Sequence, residues 1–220
     1  MCIIIAKKAG VTLDMEELES AASMASHHNS HGIGFALKRK GSNNIILSKG
    51  YRYYEMVLDK LSELKVEDDD ELMVHMRFAT SGKTDIANCH PYVVSNNLDN
   101  ILLDEAVIIN HSVVSHNGTF DWYAEAKSEF SDTVHYIKEF LSAEGVLEGM
   151  RTIKKADSYQ MHLLMQANRL CIINPDKDLP MDLYGSWNRR KLKSLVYSNF
   201  YHIQPYNGYT LDPLNKAKVL

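Results

Sequence analysis

The sequence is short of cysteine and proline and has no long apolar run, and each scarcity closes off a class of protein. Its three cysteines, Cys2, Cys89 and Cys171, are too few and too scattered for a disulfide framework and suit a reducing compartment. The opening run CIIIA is followed at once by two lysines, so it is too short for the core of a signal peptide or for a membrane span. No other stretch approaches the length a bilayer crossing needs. Five prolines and 11 glycines build no linker, repeat or low-complexity tract, so residues 1–220 read as one domain, with 45% hydrophobic residues to fill its core. Neither sign of charge dominates. A net charge of −4 lacks the basic footprint of a nucleic-acid binder, and the one basic cluster, Arg189, Arg190, Lys191 and Lys193, reads as a solvated turn. CxxC, HExxH, GxxxxGK[ST] and a post-strand GxGxxG are all missing, which argues against a compact zinc site and against the common nucleotide loops. The expectation is a cytoplasmic protein with no metal, no cofactor, no membrane contact and no direct nucleic-acid contact.

What is present points to mixed structure. Cys2 to Ala6 reads as a buried strand. Asp14 can cap a helix over MEELESAASMA, with Glu17 three residues on. GIGFALKRKGSNNIILSKG reads as a hairpin about a Gly/Ser/Asn turn. Met56, Val57, Leu61 and Leu64 recur at helical spacing in YYEMVLDKLSEL, and Val134, Ile137, Phe140 and Leu141 do so after Ser131. The acidic VEDDDE stretch reads as a solvated loop. ELMVHMRFAT and ILLDEAVIINHSVVSHNG are strand-rich, YQMHLLM and RLCIIN suggest a further hairpin, and LKSLVYSNFYHI adds a late strand. Hairpins rather than βαβ crossovers predict a layered α+β fold with antiparallel sheets.

Four places carry groups suited to chemistry. A cysteine is usually an inert small hydrophobe. At position 2, however, loss of Met1 would put a thiol and a free α-amine on one residue, a nucleophile beside a base. HMRFATSG, from His75 to Gly82, delivers Arg77 into a hydroxyl-rich turn, where its planar fork suits either a ligand carboxylate or a structural ion pair. SHNGTF, from Ser115 to Phe120, is a turn by composition, yet Asn-Gly can aim an amide and a backbone N–H at one point, as an oxyanion requires. SDT, from Ser131 to Thr133, offers a helix cap or, through Asp132, a partner for an ammonium group. His27, His28 and His31, with His75, Cys89 or His90, are a rival metal set whose spacing matches no compact motif.

In this order the motifs resemble the class II glutamine amidotransferases, whose members share an N-terminal glutaminase domain. The likeness is carried by Met1-Cys2, by HMRFATSG (close to the family's His-x-Arg-Trp-Ala-Thr-x-Gly), by Cys89-His90-Pro91, by His116-Asn117-Gly118 and by Ser131-Asp132-Thr133. It runs to about Leu141 and is looser beyond, where Tyr197-Ser198-Asn199 suits a late core strand. The resemblance implies the four-layer αββα sandwich of N-terminal nucleophile hydrolases. It implies Cys2 as nucleophile, Asn117 and Gly118 as the oxyanion hole, Arg77 with Thr80 for the glutamine α-carboxylate, Asp132 for its α-ammonium, and His90 as pocket support. Phe78 replaces the family's tryptophan, and histidines stand where an acidic residue or an arginine often supports the nucleophile. L-Glutamine is the implied substrate. The ammonia would pass to a separate synthetase or nucleotide-modifying enzyme, because no second active site is legible, and Phe78 to Lys83 is expected to close over the substrate. Two other readings stay open: hydrolysis of another γ-glutamyl amide, and a non-catalytic binding or regulatory subunit with this fold.

Overall fold

The computed structural model describes residues 2–124, 128–155, 165, 167–190, 194–199 and 211–212. Its centre is β1 (Ile3–Lys7), a run buried on both faces. Successive side chains of a strand point to opposite sides. Ile3 and Ile5 therefore enter one core while Ile4 and Ala6 enter another. On one edge β1 pairs antiparallel with β4 (Glu71–Met76) and on the other with β11 (Val196–Tyr197). The hairpin β2 (Ile33–Lys38) and β3 (Asn44–Tyr51) forms about the predicted turn. With β6 (Glu105–Ile109), β10 (Asn188–Arg190) and β12 (Leu211–Asp212) the first sheet reads β12-β10-β11-β1-β4-β2-β3-β6. A second sheet, β5-β7-β8-β9, is built from β5 (Tyr92–Val93), β7 (Val113–Asn117), β8 (Arg169–Ile173) and β9 (Asp182–Tyr184). Every pairing is antiparallel, so the chain is α+β with two antiparallel sheets. The ILLDEAVIINHSVVSHNG segment supplies one strand to each. It crosses over at Asn110, whose φ of 61° is one that asparagine tolerates.

Three cores result. Helices α1 (Met15–Ser26) and α2 (Tyr54–Leu64) lay Leu18, Ala21, Val57 and Leu61 on Ile3, Phe35 and Val74 of the first sheet. Ile4, Ala6 and Met73 meet Val113, Cys171 and Ile173 where the two sheets pack together. Val114, Leu170 and Ile172 of the second sheet pack against Val134, Ile137 and Leu141, which lie on α4 (Asp132–Tyr136) and the π-helical turn Ile137–Leu141. The short α3 (Leu98–Ile101) and α5 (Val146–Lys155) complete the described helices. Asp14 caps α1 by accepting from the Glu17 N–H at 2.9 Å. The Glu17 side chain instead reaches β11, where it accepts from the Tyr197 hydroxyl at 2.7 Å.

Several expectations need correction. The acidic stretch is not simply a solvated loop: Asp70 and Glu71 are buried. Lys7 Nζ, itself buried, donates to the carbonyls of Glu67, Asp68 and Asp70 at 2.9, 2.7 and 2.7 Å, while Lys38 pairs with Glu71 at 2.9 Å. An ammonium carries three donors, so one lysine closes this turn. Arg189 and Arg190 belong to a strand rather than a turn, because their backbone pairs with β11 and β12; Lys191 and Lys193 lie outside the described residues. Met56 and Phe140 sit off their buried helical faces. Of the late strand, Val196–Tyr197 is seen. The YQMHLLM arm, Met165 aside, lies outside the described residues. Among those residues no helix is long and apolar enough to cross a membrane.

Candidate active site

The register of β1 on β4 sets the site. Ile3 lies opposite Met76, so the next pair outward brings Cys2 against the Arg77–Phe78 stretch. The Cys2 Sγ is 3.4 Å from both the Phe78 N–H, from which it can accept, and the Phe78 carbonyl, to which the thiol can donate. Burial pushes the thiol above its ordinary value, while the Phe78 backbone contact and the Arg77 charge pull it back. Asn199 anchors the same residue by donating Nδ2–H to the Cys2 carbonyl at 2.6 Å.

Cys2 opens on a narrow cleft with only about 20 Å³ of free space, whose lining includes Arg77, Thr80, His90, Gly118 and Asp132. Six of the seven predicted site residues thus share one cavity. The seventh, Asn117, is buried beside it without lining it, and its Nδ2–H donates to the Ser198 hydroxyl at 2.8 Å. Two roomier clefts, both bordered by Asn110 and Pro175, contain none of the seven.

Arg77 is 1% exposed, and its guanidinium donates to the carbonyls of Lys83 at 2.7 Å and Ser81 at 2.9 Å. Asp132, also buried, accepts from the Phe120 N–H at 2.7 Å and the Ser81 hydroxyl at 3.1 Å. Among the described residues neither charge has an ion-pair partner. Buried charges are ordinarily paired. The cleft is therefore lined by one buried cation and one buried anion, each held by neutral groups. Ser131 does not cap α4 with its side chain; its hydroxyl lies 3.1 Å from the Tyr92 hydroxyl.

Gly118 follows β7 at a φ of 151°, and a Cβ there would stand 2.8 Å from the Ala167 carbonyl oxygen and 2.2 Å from Asn168 Oδ1. Only glycine fits this conformation and spacing. Behind the cleft three buried histidines gather around Thr133. His75 Nε2–H donates to the His116 carbonyl at 3.1 Å, and its ring stacks on His90 at 4.1 Å. His90 Nε2 is 3.3 Å from Thr133 Oγ1, which is 2.9 Å from His116 Nδ1, while His116 Nε2 is 2.8 Å from Asn168 Oδ1. The amide oxygen of Asn168 can only accept, so His116 carries its proton on Nε2 and Thr133 donates to Nδ1. His90 then donates to Thr133. Burial keeps all three rings neutral, His75 down to about 3 and His90 well below the usual range. Lys49, over the Tyr92 ring at 4.5 Å, is lowered to about 7 by burial.

His116, Ser81 and Thr133 carry no role of their own in the sequence reading, and His75 enters it only as a rival metal ligand, although all four stand within the quoted motifs. Ser198 and Asn199 gave no sign beyond strand composition. His31 accepts from the Ala79 N–H through Nδ1 at 2.9 Å and so positions the turn after Arg77. His27 and His28 are exposed at the end of α1. Among the described residues no group of three His, Cys, Asp or Glu side chains could hold a metal ion. No family model matches the chain, and no curated protein matches it.

Proposed function

We propose that this chain is a glutaminase of the N-terminal nucleophile kind, hydrolysing the side-chain amide of L-glutamine to glutamate and ammonia. One observation carries the reading: Arg77 and Asp132, opposite buried charges without ion-pair partners among the described residues, share a cleft with Cys2. An α-amino acid presents a carboxylate and an ammonium as one rigid unit. It satisfies both charges while its side chain extends toward the thiol, and Thr80 at the cleft rim adds a hydroxyl for the carboxylate. The three cores described above also suit the αββα sandwich that the resemblance implies, with helices outside each sheet.

In this mechanism loss of Met1 frees an α-amine, ordinarily half-protonated at about pH 7.7–8.0, to take the Cys2 proton. The sulfur attacks the amide carbon, and the oxygen gains negative charge against the Gly118 N–H and the Asn117 amide. Collapse returns the proton to the leaving nitrogen, releases ammonia and leaves a thioester. Water then attacks that thioester, giving glutamate and free thiol. The Phe78 N–H, 3.4 Å from Sγ, stabilises the thiolate form. Ammonia would go to an acceptor on a separate enzyme, which also supplies the reason to hydrolyse glutamine at all.

Incubation with the glutamine-analogue electrophile 6-diazo-5-oxo-norleucine tests the assignment. Intact mass and peptide mapping should place one adduct on Cys2, with buried Cys89 and Cys171 as internal controls. Cys2→Ala should release no glutamate from glutamine while keeping its melting temperature. Adducts on Cys89 or Cys171, or full turnover in Cys2→Ala, would overturn it.

A further inference from the structure

Ser198 joins the two strands on which the proposed chemistry depends. Its backbone N–H donates to the Ile4 carbonyl at 3.0 Å. Its hydroxyl oxygen accepts the Ile4 N–H at 2.9 Å and the Asn117 Nδ2–H at 2.8 Å. Ile4 lies on β1, two residues after the nucleophile, and Asn117 ends β7 in the other sheet. A single hydroxyl, wholly buried, therefore fixes the carboxamide of Asn117 against the strand that carries Cys2.

The rest of that carboxamide is unsatisfied. Asn117 Oδ1 is buried with no hydrogen-bond partner among the described residues. The amide has two Nδ2 hydrogens and Ser198 takes one, so the second has no acceptor among the described residues. Oδ1 can only accept and so cannot serve an oxyanion, but the second Nδ2 hydrogen can, and buried amide groups left unpaired are rare in a purely structural asparagine. Asn117 immediately precedes Gly118, whose backbone lines the Cys2 cleft. A donor left over at that place is suited to an acceptor that appears only during reaction.

We propose that Ser198 is the positioning residue of the oxyanion site: its hydroxyl holds one Asn117 amide hydrogen and so turns the other toward the carbonyl oxygen under attack at Cys2. The inference rests on the glutaminase reading above. Ser198 itself touches no reacting atom; it acts through Asn117. The hydroxyl is needed as an acceptor. Removing it frees the amide to rotate and also leaves the Ile4 N–H unpaired, so stability and chemistry have to be read separately.

The test compares Ser198→Ala, Ser198→Thr, Asn117→Ala and the double Ser198→Ala/Asn117→Ala variant in the full chain. Glutamine kinetics are measured together with Cys2 alkylation by iodoacetamide, which needs a reactive thiol but forms no oxyanion. For Ser198→Ala the expectation is a fall in kcat of about 10- to 100-fold with KM within about twofold. Iodoacetamide labelling should stay at the parent rate. Ser198→Thr, which keeps the hydroxyl, should recover most of kcat, and the double variant should be no slower than Asn117→Ala alone. Equal losses in kcat and in alkylation would show that Ser198 only props β1 and would overturn the proposal; so would additive losses in the double variant. If the parent chain neither hydrolyses glutamine nor labels at Cys2, the glutaminase reading itself falls, and this inference with it.

Discussion

Arg77 and Asp132 show how residue chemistry is set by what surrounds a side chain. Arginine is planar and always charged, and here its fork is held by two carbonyl oxygens rather than by a carboxylate. Asp132 is held in the same neutral way by a backbone N–H and a hydroxyl. A charge-assisted hydrogen bond contributes about 1.5–3 kcal/mol, or roughly 10- to 100-fold in kcat/KM when it is lost. Arg77→Ala and Asp132→Asn should each weaken glutamine kcat/KM by about that factor, mainly through KM, in steady-state assays. Unchanged kinetics in Arg77→Ala would move the carboxylate elsewhere. The residue types at these positions are legible in the sequence, since HMRFATSG and SDT stand out. That neither forms an ion pair among the described residues is not legible, because it depends on which atoms of the turn 81–83 fold back on the guanidinium.

The turn after Arg77 is organised as an element. Asn88 donates Nδ2–H to the Glu129 carbonyl at 2.9 Å and accepts from the Ser131 N–H at 2.7 Å. Lys83 N–H donates to the Glu129 carbonyl at 3.0 Å, and the Lys83 ammonium pairs with the Glu129 carboxylate. Gly82, at a φ of 70°, lets the backbone approach so closely that a Cβ would stand 2.7 Å from the Ser131 nitrogen. These contacts pin the far half of the loop to the start of α4. Its near half, Phe78 to Thr80, is tied by Cys2 and His31. Asn88→Ala should release the pinned half and leave a buried N–H unpaired, at about 1–3 kcal/mol. The expected result is a lower melting temperature with KM for glutamine raised several-fold and kcat less affected. A variant that loses stability but keeps its KM would show that this docking does not shape the substrate site. Sequence pattern identified the helix after Ser131 because Val134, Ile137 and Leu141 recur on one face; it could not identify Asn88, which is one polar residue among several in a turn-rich stretch.

At the scale of the molecule, the buried histidines link the two sheets. His75 stands on β4 of the first and His116 on β7 of the second, while His90 lies just before β5. Each stays neutral in the folded chain, whereas an unfolded histidine titrates near pH 6.5. Between pH 6.5 and the lowered folded values the unfolded chain binds more protons, so stability falls as pH drops through that window and the loss is complete near pH 3 for His75. Each such histidine contributes a slope of about 1.4 kcal/mol per pH unit within its window. Denaturant titrations from pH 7 to 5 should therefore show a steep loss of stability, reduced by about one proton's slope in His75→Phe. A flat profile would mean that the rings are not buried neutral.

The sequence by itself determined the elements and the cast of reactive groups. Two-faced apolar runs such as IIIA must be buried, and a three-residue recurrence of leucine and valine makes a helix with one wet face; the Asn-Gly pair, a turn by composition, instead keeps Asn117 in β7. The first two are local consequences of side-chain periodicity. Only the tertiary structure decided the partners. Lys7 closing the acidic turn, Glu17 reaching Tyr197, and Ser198 joining Ile4 to Asn117 link residues 60, 180 and 81 positions or more apart in the chain. No local pattern encodes such pairs. They are fixed when strands far apart in sequence settle into register and a buried polar atom must take whatever donor or acceptor lies within about 3 Å.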